Sequence, residues 1–483
     1  MQILVIQKVL GLLLMVFSTT MLPPVLVGWW FGDEEVRPFL VGFVVTLGTG
    51  FVFWAPVMQV RRELRVRDGF VTVVMFWAVL GLFGALPLVA AQDPYIGVTD
   101  AVFESISGLT TTGATVLVGL DHMPRSILFY RQELQWLGGM GIIVLAVAIL
   151  PMLGIGGMQL YRAETPGPVK DNKLTPRITE TAKALWYIYL GLTIVCAIAY
   201  WAAGMDVFDA ISHSFSTVAI GGFSTHDASM GYFHSALIEA IAVVFMLISG
   251  ANYSLHFLAL RSQTIKPYRD DAEFRTYISL LAIVAVICVV YLYLTATFSN
   301  IGAAVHHGIF QVVSIGTTTG FTTAAYSDWP GFLPVLLLFL SFVGGCAGST
   351  GGGMKVIRFL LLVKQGGREL TRLVHPSARI AVKIGNKPLD DRVMDAVWGF
   401  FSAYVAVFGV MLLLLMATGL DQVTAFSAVA ASLNNLGPGL GEVGDNFAGL
   451  NTLSKWMLCL AMLLGRLEIF TLLVLLTPGF WRN

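Results

Sequence analysis

The chain has 483 residues, 56% of them hydrophobic and only 12% charged, and its formal net charge is zero. Soluble domains carry about 25% charged residues, so this composition excludes a soluble protein, and the balanced charge argues against nucleic acid as a partner. The four cysteines (Cys196, Cys288, Cys346, Cys459) stand in apolar surroundings without C-x-x-C spacing, which argues against a disulfide framework or a zinc site built on them.

The first 30 residues form an apolar run too long for a signal peptide and lack a small-x-small cleavage site, so they are read as a spanning helix. A span needs roughly 20 apolar residues. Ten stretches qualify, near 3–31, 39–60, 69–92, 126–153, 182–204, 235–260, 277–298, 332–363, 396–419 and 453–477. Four short windows follow the third, fifth, seventh and ninth of these. They are 101–113 (AVFESISGLTTTG), 210–222 (AISHSFSTVAIGG), 308–320 (GIFQVVSIGTTTG) and 425–437 (AFSAVAASLNNLG). They align without a gap, and each ends in a glycine. The expected fold is all-α and polytopic, with two leading helices (1–66) and four modules of helix, short helix, helix (67–160, 161–265, 266–370, 371–483).

Each window offers about nine helical residues, or roughly 13 Å, against a hydrocarbon core of about 30 Å. It must enter and return on one side, which is tolerated only where backbone is buried in protein or lines water. Charge supports this topology. Lys8, Arg482 and the stretches 61–67, 162–183, 261–275 and 355–392 hold 24 of the 29 Lys and Arg. Ten spans with non-crossing windows put all of these on one face, whereas crossing windows would scatter them. The positive-inside rule makes that face, with both termini, cytoplasmic. The windows then open outward. The long basic segment 364–395 exceeds what topology requires and suits docking of a cytoplasmic partner.

After each short helix comes LTTTGAT, VAIGGFST, IGTTTGFTT or NNLGPGL. A dehydrating ion needs oxygens at fixed radius, and rings of backbone carbonyls supply them without net charge. Glycine permits positive φ, so that successive carbonyls can point the same way. The C-terminal end of a short helix aimed at the pore favours a cation. No Asp, Glu, Lys or Arg lies within three residues of any of the four glycines. A divalent-cation filter would use carboxylates and an anion pore Arg or Lys, so a weakly hydrated monovalent cation, potassium, fits best. Gly-rich turns between membrane helices are common, but four aligned copies on one face are not.

The eighth span is interrupted at 344–353 by GGCAGSTGGG. Each helical glycine costs about 1 kcal/mol relative to Ala, so Gly344, Gly345, Gly348, Gly351, Gly352 and Gly353 cannot hold a straight helix. They are expected to form a flexible gate below the filter. This is the one inner helix expected to break, which places the gate mainly in the third module. Arg466, inside the last span, cannot face Glu468 two positions on, so it needs another partner or the water-filled cavity. Glu104 and His213, within the windows, are expected to make local hydrogen bonds. No P-loop and no H-E-x-x-H motif occurs, which argues against an ATP-driven pump or an enzyme.

The motifs SGLTTTGAT (107–115), AIGGFSTHDAS (219–229), TTTGFTT (317–323), NNLGPGLG (434–441), GGCAGSTGGGMKVIR (344–358) and GRLEIFTLLVLLTP (465–478) resemble those of the TrkH family, membrane subunits of the bacterial Trk potassium-uptake system. The wider superfamily includes Ktr subunits and plant HKT transporters. The resemblance covers essentially the whole chain. It implies four pseudo-symmetric modules around one pore in the bacterial inner membrane, a homodimer set in membrane lipid, and a cytoplasmic nucleotide-binding regulatory ring of the TrkA type. It assigns Gly113, Gly222, Gly320 and Gly437 to the filter. Carbonyls would come from Thr111 and Thr112, Ile220 and Gly221, Thr318 and Thr319, and Asn435 and Leu436. It places Arg466 under the filter as an electrostatic block. Potassium is the permeant ligand, bound as a metal ion at those filter residues, and no further cofactor is implied in this chain. In plant relatives a serine at the first glycine goes with sodium preference, so four glycines imply potassium. The fourth window departs most, with NNLG in place of TTTG and Pro438 following. A gated, channel-like pore is the first reading. A secondary transporter coupling potassium to protons or sodium is the alternative, since carriers also use broken helices and repeats.

Overall fold

The computed structural model describes residues 1–33, 36–60, 65–141, 178–378, 380–385 and 387–482. The end of the fourth expected span, the 160/161 module boundary and most of the basic stretches 61–67 and 162–183 lie outside the described residues.

Among the described residues six helices are long and apolar enough to cross a membrane: Ile3–Phe31, Arg37–Val57, Arg67–Ala90, Ala182–Ala202, Ala272–Leu294 and Asp391–Ala417. The two leading helices cross at a pair of glycines. A Cβ on Gly11 would meet the Gly50 carbonyl oxygen at 2.8 Å, and a Cβ on Gly50 would meet the Gly11 oxygen at 2.8 Å. Lipid gives no hydrophobic force between helices, so such backbone proximity is what holds them. At the same end Asp68 accepts the backbone N–H groups of Gln2 and Arg65, both at 3.0 Å.

The four windows form the short helices Val98–Leu109, Val207–Ala219, Ile301–Gly316 and Gln422–Leu433. They are longer than the nine residues expected, at 12, 13, 16 and 12. At 1.5 Å per residue even the longest measures about 24 Å, short of a bilayer core. Asp206, Asn300 and Asp421 cap the last three, each accepting a first-turn N–H, as N-cap side chains do.

Each short helix packs against the inner helix of the module before it. Val207–Ala219 lies on Arg125–Trp136, Ile301–Gly316 on Ala236–Ser249, and Gln422–Leu433 on Leu333–Val343. Val98–Leu109 completes the circuit by packing on Thr452–Arg466, in the last module. The four modules therefore close into a ring.

The inner helices correct the expectation that only the third module breaks. The expected span 235–260 is two helices, Ala236–Ser249 and Tyr253–Ser262, bent by 92°. The expected span 453–477 bends by 106° between Thr452–Arg466 and Phe470–Leu476. In the third module Leu333–Val343 gives way to an irregular loop before Val356–Val374. In the first, the inner helix widens to a π turn at Leu137–Gly141. The causes are local. The first of the two helices in the second module ends at Gly250, and Asn252 caps the next by accepting the Ser254 N–H at 2.8 Å. Glu468 and Ile469 both take left-handed φ, at 53° and 54°. Segment 364–395 continues the helix to Val374 and adds the antiparallel ribbon Lys383–Ile384 with Lys387–Pro388.

Candidate functional site

The four short helices end identically. Thr111, Ile220, Thr318 and Asn435, each two residues before the window glycine, take φ of 55°, 56°, 69° and 51°. The next N–H in each case (Thr112, Gly221, Thr319, Leu436) donates back to Ser107, Ser216, Ser314 and Ala431, at 2.9, 2.8, 2.7 and 2.8 Å. The left-handed residue itself donates to Gly108, Thr217, Ile315 or Ser432, at 2.9 to 3.2 Å. This pair of bonds is the Schellman ending. Three of the four left-handed positions are not Asn or Gly, and Ile220 is β-branched, so the geometry is held against local preference. The glycine two residues on is left-handed again, at φ 80°, 80°, 85° and 99° for Gly113, Gly222, Gly320 and Gly437.

These endings meet in a closed circle. A Cβ on Gly113 would strike the carbonyl oxygen of Gly221, one on Gly222 that of Thr319, and one on Gly320 that of Leu436. A Cβ on Gly437 would meet the Thr112 oxygen at 2.7 Å. Each window glycine thus faces the carbonyl that precedes the glycine of the next module. None of the residues from Thr111, Ile220, Thr318 and Asn435 to the window glycines is charged, so the four endings present peptide oxygens and the negative ends of four helices.

The side chains behind this ring differ by module. In the first and third, paired hydroxyls brace the turn: Thr110 with Thr112, and Thr317 with Thr319, both at 2.7 Å. The second has no threonine here. Gln135, from the first module's inner helix, instead donates to the Gly221 carbonyl at 2.6 Å and accepts the Phe223 N–H at 3.0 Å. In the fourth, Asn435 donates to the Thr112 hydroxyl at 2.9 Å and to the Met462 carbonyl at 3.0 Å. Asn434 donates to the Ser341 hydroxyl at 2.9 Å and accepts from Tyr404. The departure of NNLG from TTTG is therefore made good by amides that tie the fourth module to its neighbours.

Nine residues before the glycines stand Glu104, His213, Gln311 and Ala428. The first three fasten the returning strand. Glu104 accepts from Thr115 at 2.9 Å and from the Val116 N–H at 3.0 Å, His213 Nε2 lies 2.9 Å from the Ser224 hydroxyl, and Gln311 donates to the Ala324 carbonyl at 2.9 Å. In the fourth, Ser427 bonds both N–H and carbonyl of Leu440 at 2.9 Å. Glu104 is also paired with Arg131 at 2.7 Å, and both are buried. Arg131 donates to the Ser224 carbonyl at 3.0 Å and lies over Phe223, joining the first two modules.

On the opposite side of the ring from the returning strands, the glycine-rich loop runs against the backbone of the helix endings. The Gly353 N–H donates to the Asn434 carbonyl at 2.9 Å, and the Gly352 N–H to the Thr318 hydroxyl at 2.6 Å. Thr350 donates to the Val218 carbonyl at 3.1 Å. A Cβ on Gly351 would meet the Thr317 oxygen at 2.9 Å, one on Gly352 the Asn434 oxygen, and one on Gly344 the Gly352 oxygen. Gly345 and Gly348 pack against Ser349 and Asn252. Glycine is therefore required by approach as well as by bending. Glu273 holds both ends of the loop, accepting the Ala347 and Ile357 N–H groups at 2.6 and 3.1 Å.

Arg466 joins this floor to the ring. Its guanidinium donates to the Thr111 hydroxyl at 3.2 Å, the Thr350 carbonyl at 3.3 Å, the Gly139 carbonyl at 2.8 Å and the Gly138 carbonyl. Glu468 has a different partner, Arg358, which also stacks on Phe400 at 4.2 Å. Lys355, at left-handed φ 78°, bonds the Gly351 carbonyl. Gln135, Glu273, Lys355 and the Glu104–Arg131 pair were not singled out as site residues from sequence. The available signal was an ionisable or amide side chain inside an apolar segment.

A ring-closed bundle of apolar helices, with four short helices whose uncharged ends meet in a circle of glycines and carbonyls, fits a membrane transport protein for cations. A family model described as cation transport protein, TrkH, matches residues 37–480. The Trk system potassium uptake protein TrkH of Vibrio parahaemolyticus is 62% identical over 99% of both chains, and that of Escherichia coli K12 is 58% identical over 99% of both. The crystal structure of the potassium transporter TrkH from Vibrio parahaemolyticus superposes with a TM-score of 0.91 at 59% identity, covering 100% of each chain. The chain belongs to the TrkH family of cation transport proteins, which are transporters and not enzymes.

Proposed function

We propose that this protein is the pore subunit of a bacterial potassium-uptake system, passing potassium inward through a filter of backbone carbonyls. The observation that carries this reading is the circle in which each window glycine faces the next module's carbonyl. Four such oxygens at one level replace part of a potassium hydration shell, and the uncharged walls hold the ion weakly enough for it to leave. Curated relatives named for potassium uptake support the choice of ion.

Below the filter, the glycine-rich loop and Arg466 act as the gate. The guanidinium places a full positive charge against the Thr111 hydroxyl and clamps the Thr350 carbonyl of the loop. Opening requires Arg466 to leave these four oxygens and the loop to withdraw from Asn434 and Thr318. A cytoplasmic nucleotide-binding ring of the TrkA type, acting on a homodimer in the inner membrane, supplies that pull through the helix Val356–Val374, which continues from the loop.

Purified protein in liposomes under a potassium gradient gives the test. A reversal potential that follows the potassium gradient and ignores imposed pH and sodium gradients is expected for a channel-like pore. A potential that moves with either of those gradients overturns it in favour of coupled transport.

A further inference from the structure

One cluster lies outside the filter and the gate. Glu239, in the first turn of Ala236–Ser249, faces His306 and His307 of the third short helix. One donor atom from each lies within 4.8 Å of the other two. Glu239 Oε2 and His306 Nε2 are both buried atoms 2.8 Å apart, yet their alignment is not that of a hydrogen bond. The Glu239 residue is only 4% exposed. The His307 ring is fixed from behind, with Nδ1 at 3.0 Å from the Thr323 hydroxyl and its face stacked on Phe298 at 4.9 Å.

A buried carboxylate oxygen set 2.8 Å from a buried imidazole nitrogen, with neither in a hydrogen bond, calls for a shared positive charge. We propose that Glu239, His306 and His307 form a binding site for a divalent transition-metal ion, with zinc the best match. Two imidazoles and one carboxylate suit zinc and its neighbours, whereas magnesium and calcium require oxygen ligands. Bonds of about 2.0–2.2 Å leave the fourth position of a tetrahedral ion open to water, and small side-chain rotations bring the three donors to that radius. The Thr323 hydroxyl supplies the outer-shell contact that orients a ligating imidazole.

Position gives the site a consequence. Thr323 is three residues beyond Gly320, on the returning strand, so the cluster stands at the outer end of the pore. Its ligands come from two modules, so a bound ion ties the second inner helix to the third short helix. External zinc therefore restrains the filter wall and slows cation flux.

The test uses the purified full-length protein, stripped with a chelator and titrated with zinc chloride against a fluorescent zinc indicator. Wild type and His306→Cys, which keeps a zinc ligand, are expected to bind zinc at least about tenfold more tightly than His306→Ala. Equal binding by His306→Ala and wild type overturns the proposal. Zinc is expected to raise the thermal midpoint of wild type and not of His306→Ala, and an equal rise with magnesium chloride also overturns it. Zinc-free uptake by His306→Ala at the wild-type rate confirms its fold. Should that variant fail to assemble, Glu239→Gln takes its place, with the same loss expected.

Discussion

Asn435 donates a hydrogen bond to the Thr112 hydroxyl across the seam where the last module meets the first, at 2.9 Å. Beside it the Gly437 Cβ position faces the Thr112 carbonyl at 2.7 Å. The seam between the chain's two ends is thus closed by the same approach of glycine to carbonyl as the three joints between successive modules.

The circle makes its glycines intolerant of the smallest side chain. In Gly113→Ser and Gly320→Ser, the new Cβ meets the neighbouring carbonyl at a left-handed φ that itself costs about 1 kcal/mol. Both variants are expected to reach the membrane at wild-type levels yet lose potassium-limited growth in an uptake-deficient bacterium. Growth at the wild-type rate in both would contradict a filter at these residues.

Replacing Arg466 by glutamine removes the charge and most of the clamp on Thr350 and Thr111. Liposome flux of potassium without any regulator is expected to rise. Flux that stays unchanged or falls, in protein of normal thermal stability, would mean the arginine serves only to hold the bundle.

The Glu104–Arg131 pair sits behind the first returning strand with no access to water. Glu104→Ala leaves a buried guanidinium unpaired, at a cost of about 3–5 kcal/mol. The double variant Glu104→Gln with Arg131→Met is expected to recover a substantial part of that loss, because no isolated charge remains. Thermal unfolding of the three proteins measures it; a double variant no more stable than the single one would refute the pairing energetics.

His226 bridges Asp121 at 2.5 Å and Asp209 at 3.1 Å, joining the first two modules, and stacks on Tyr232. Burial alone would lower its pKa, but the hydrogen bonds and charges of the two aspartates outweigh burial and raise it above 6.5. Burial likewise opposes the Asp121 charge, and His226 outweighs it, holding the carboxyl below 3.8. The imidazolium contribution is therefore complete below pH 6.5 and is lost as pH rises through the raised value. The Asp121 contribution is present above pH 3.8 and is lost as pH falls through the lowered one. The stability gap between wild type and His226→Gln is expected to be widest between about pH 4 and pH 6.5 and to shrink toward pH 9. Thermal midpoints across that range decide it, and a constant gap would exclude a charged bridge.

The sequence exposed the windows because a left-handed turn at close quarters demands glycine, and because charge distribution limits how often the chain crosses. It concealed the breaks in the inner helices. A bilayer demands apolar residues however the chain runs, so the segments around Gly250 and Ile469 read as uninterrupted spans. The left-handed state of Ile220 was equally hidden, since a β-branched residue disfavours it and only the surrounding ring enforces it. Gln135 stayed invisible because its task, replacing the threonine that the second window lacks, exists only once the first and second modules touch.

The seat of the first short helix has a consequence for synthesis. Val98–Leu109 rests on Thr452–Arg466, which leaves the ribosome some 350 residues later. Until then the first short helix lacks this seat, and the circle of glycines and carbonyls cannot close. Membrane insertion can proceed module by module, but closure of the ring awaits the C-terminal helices.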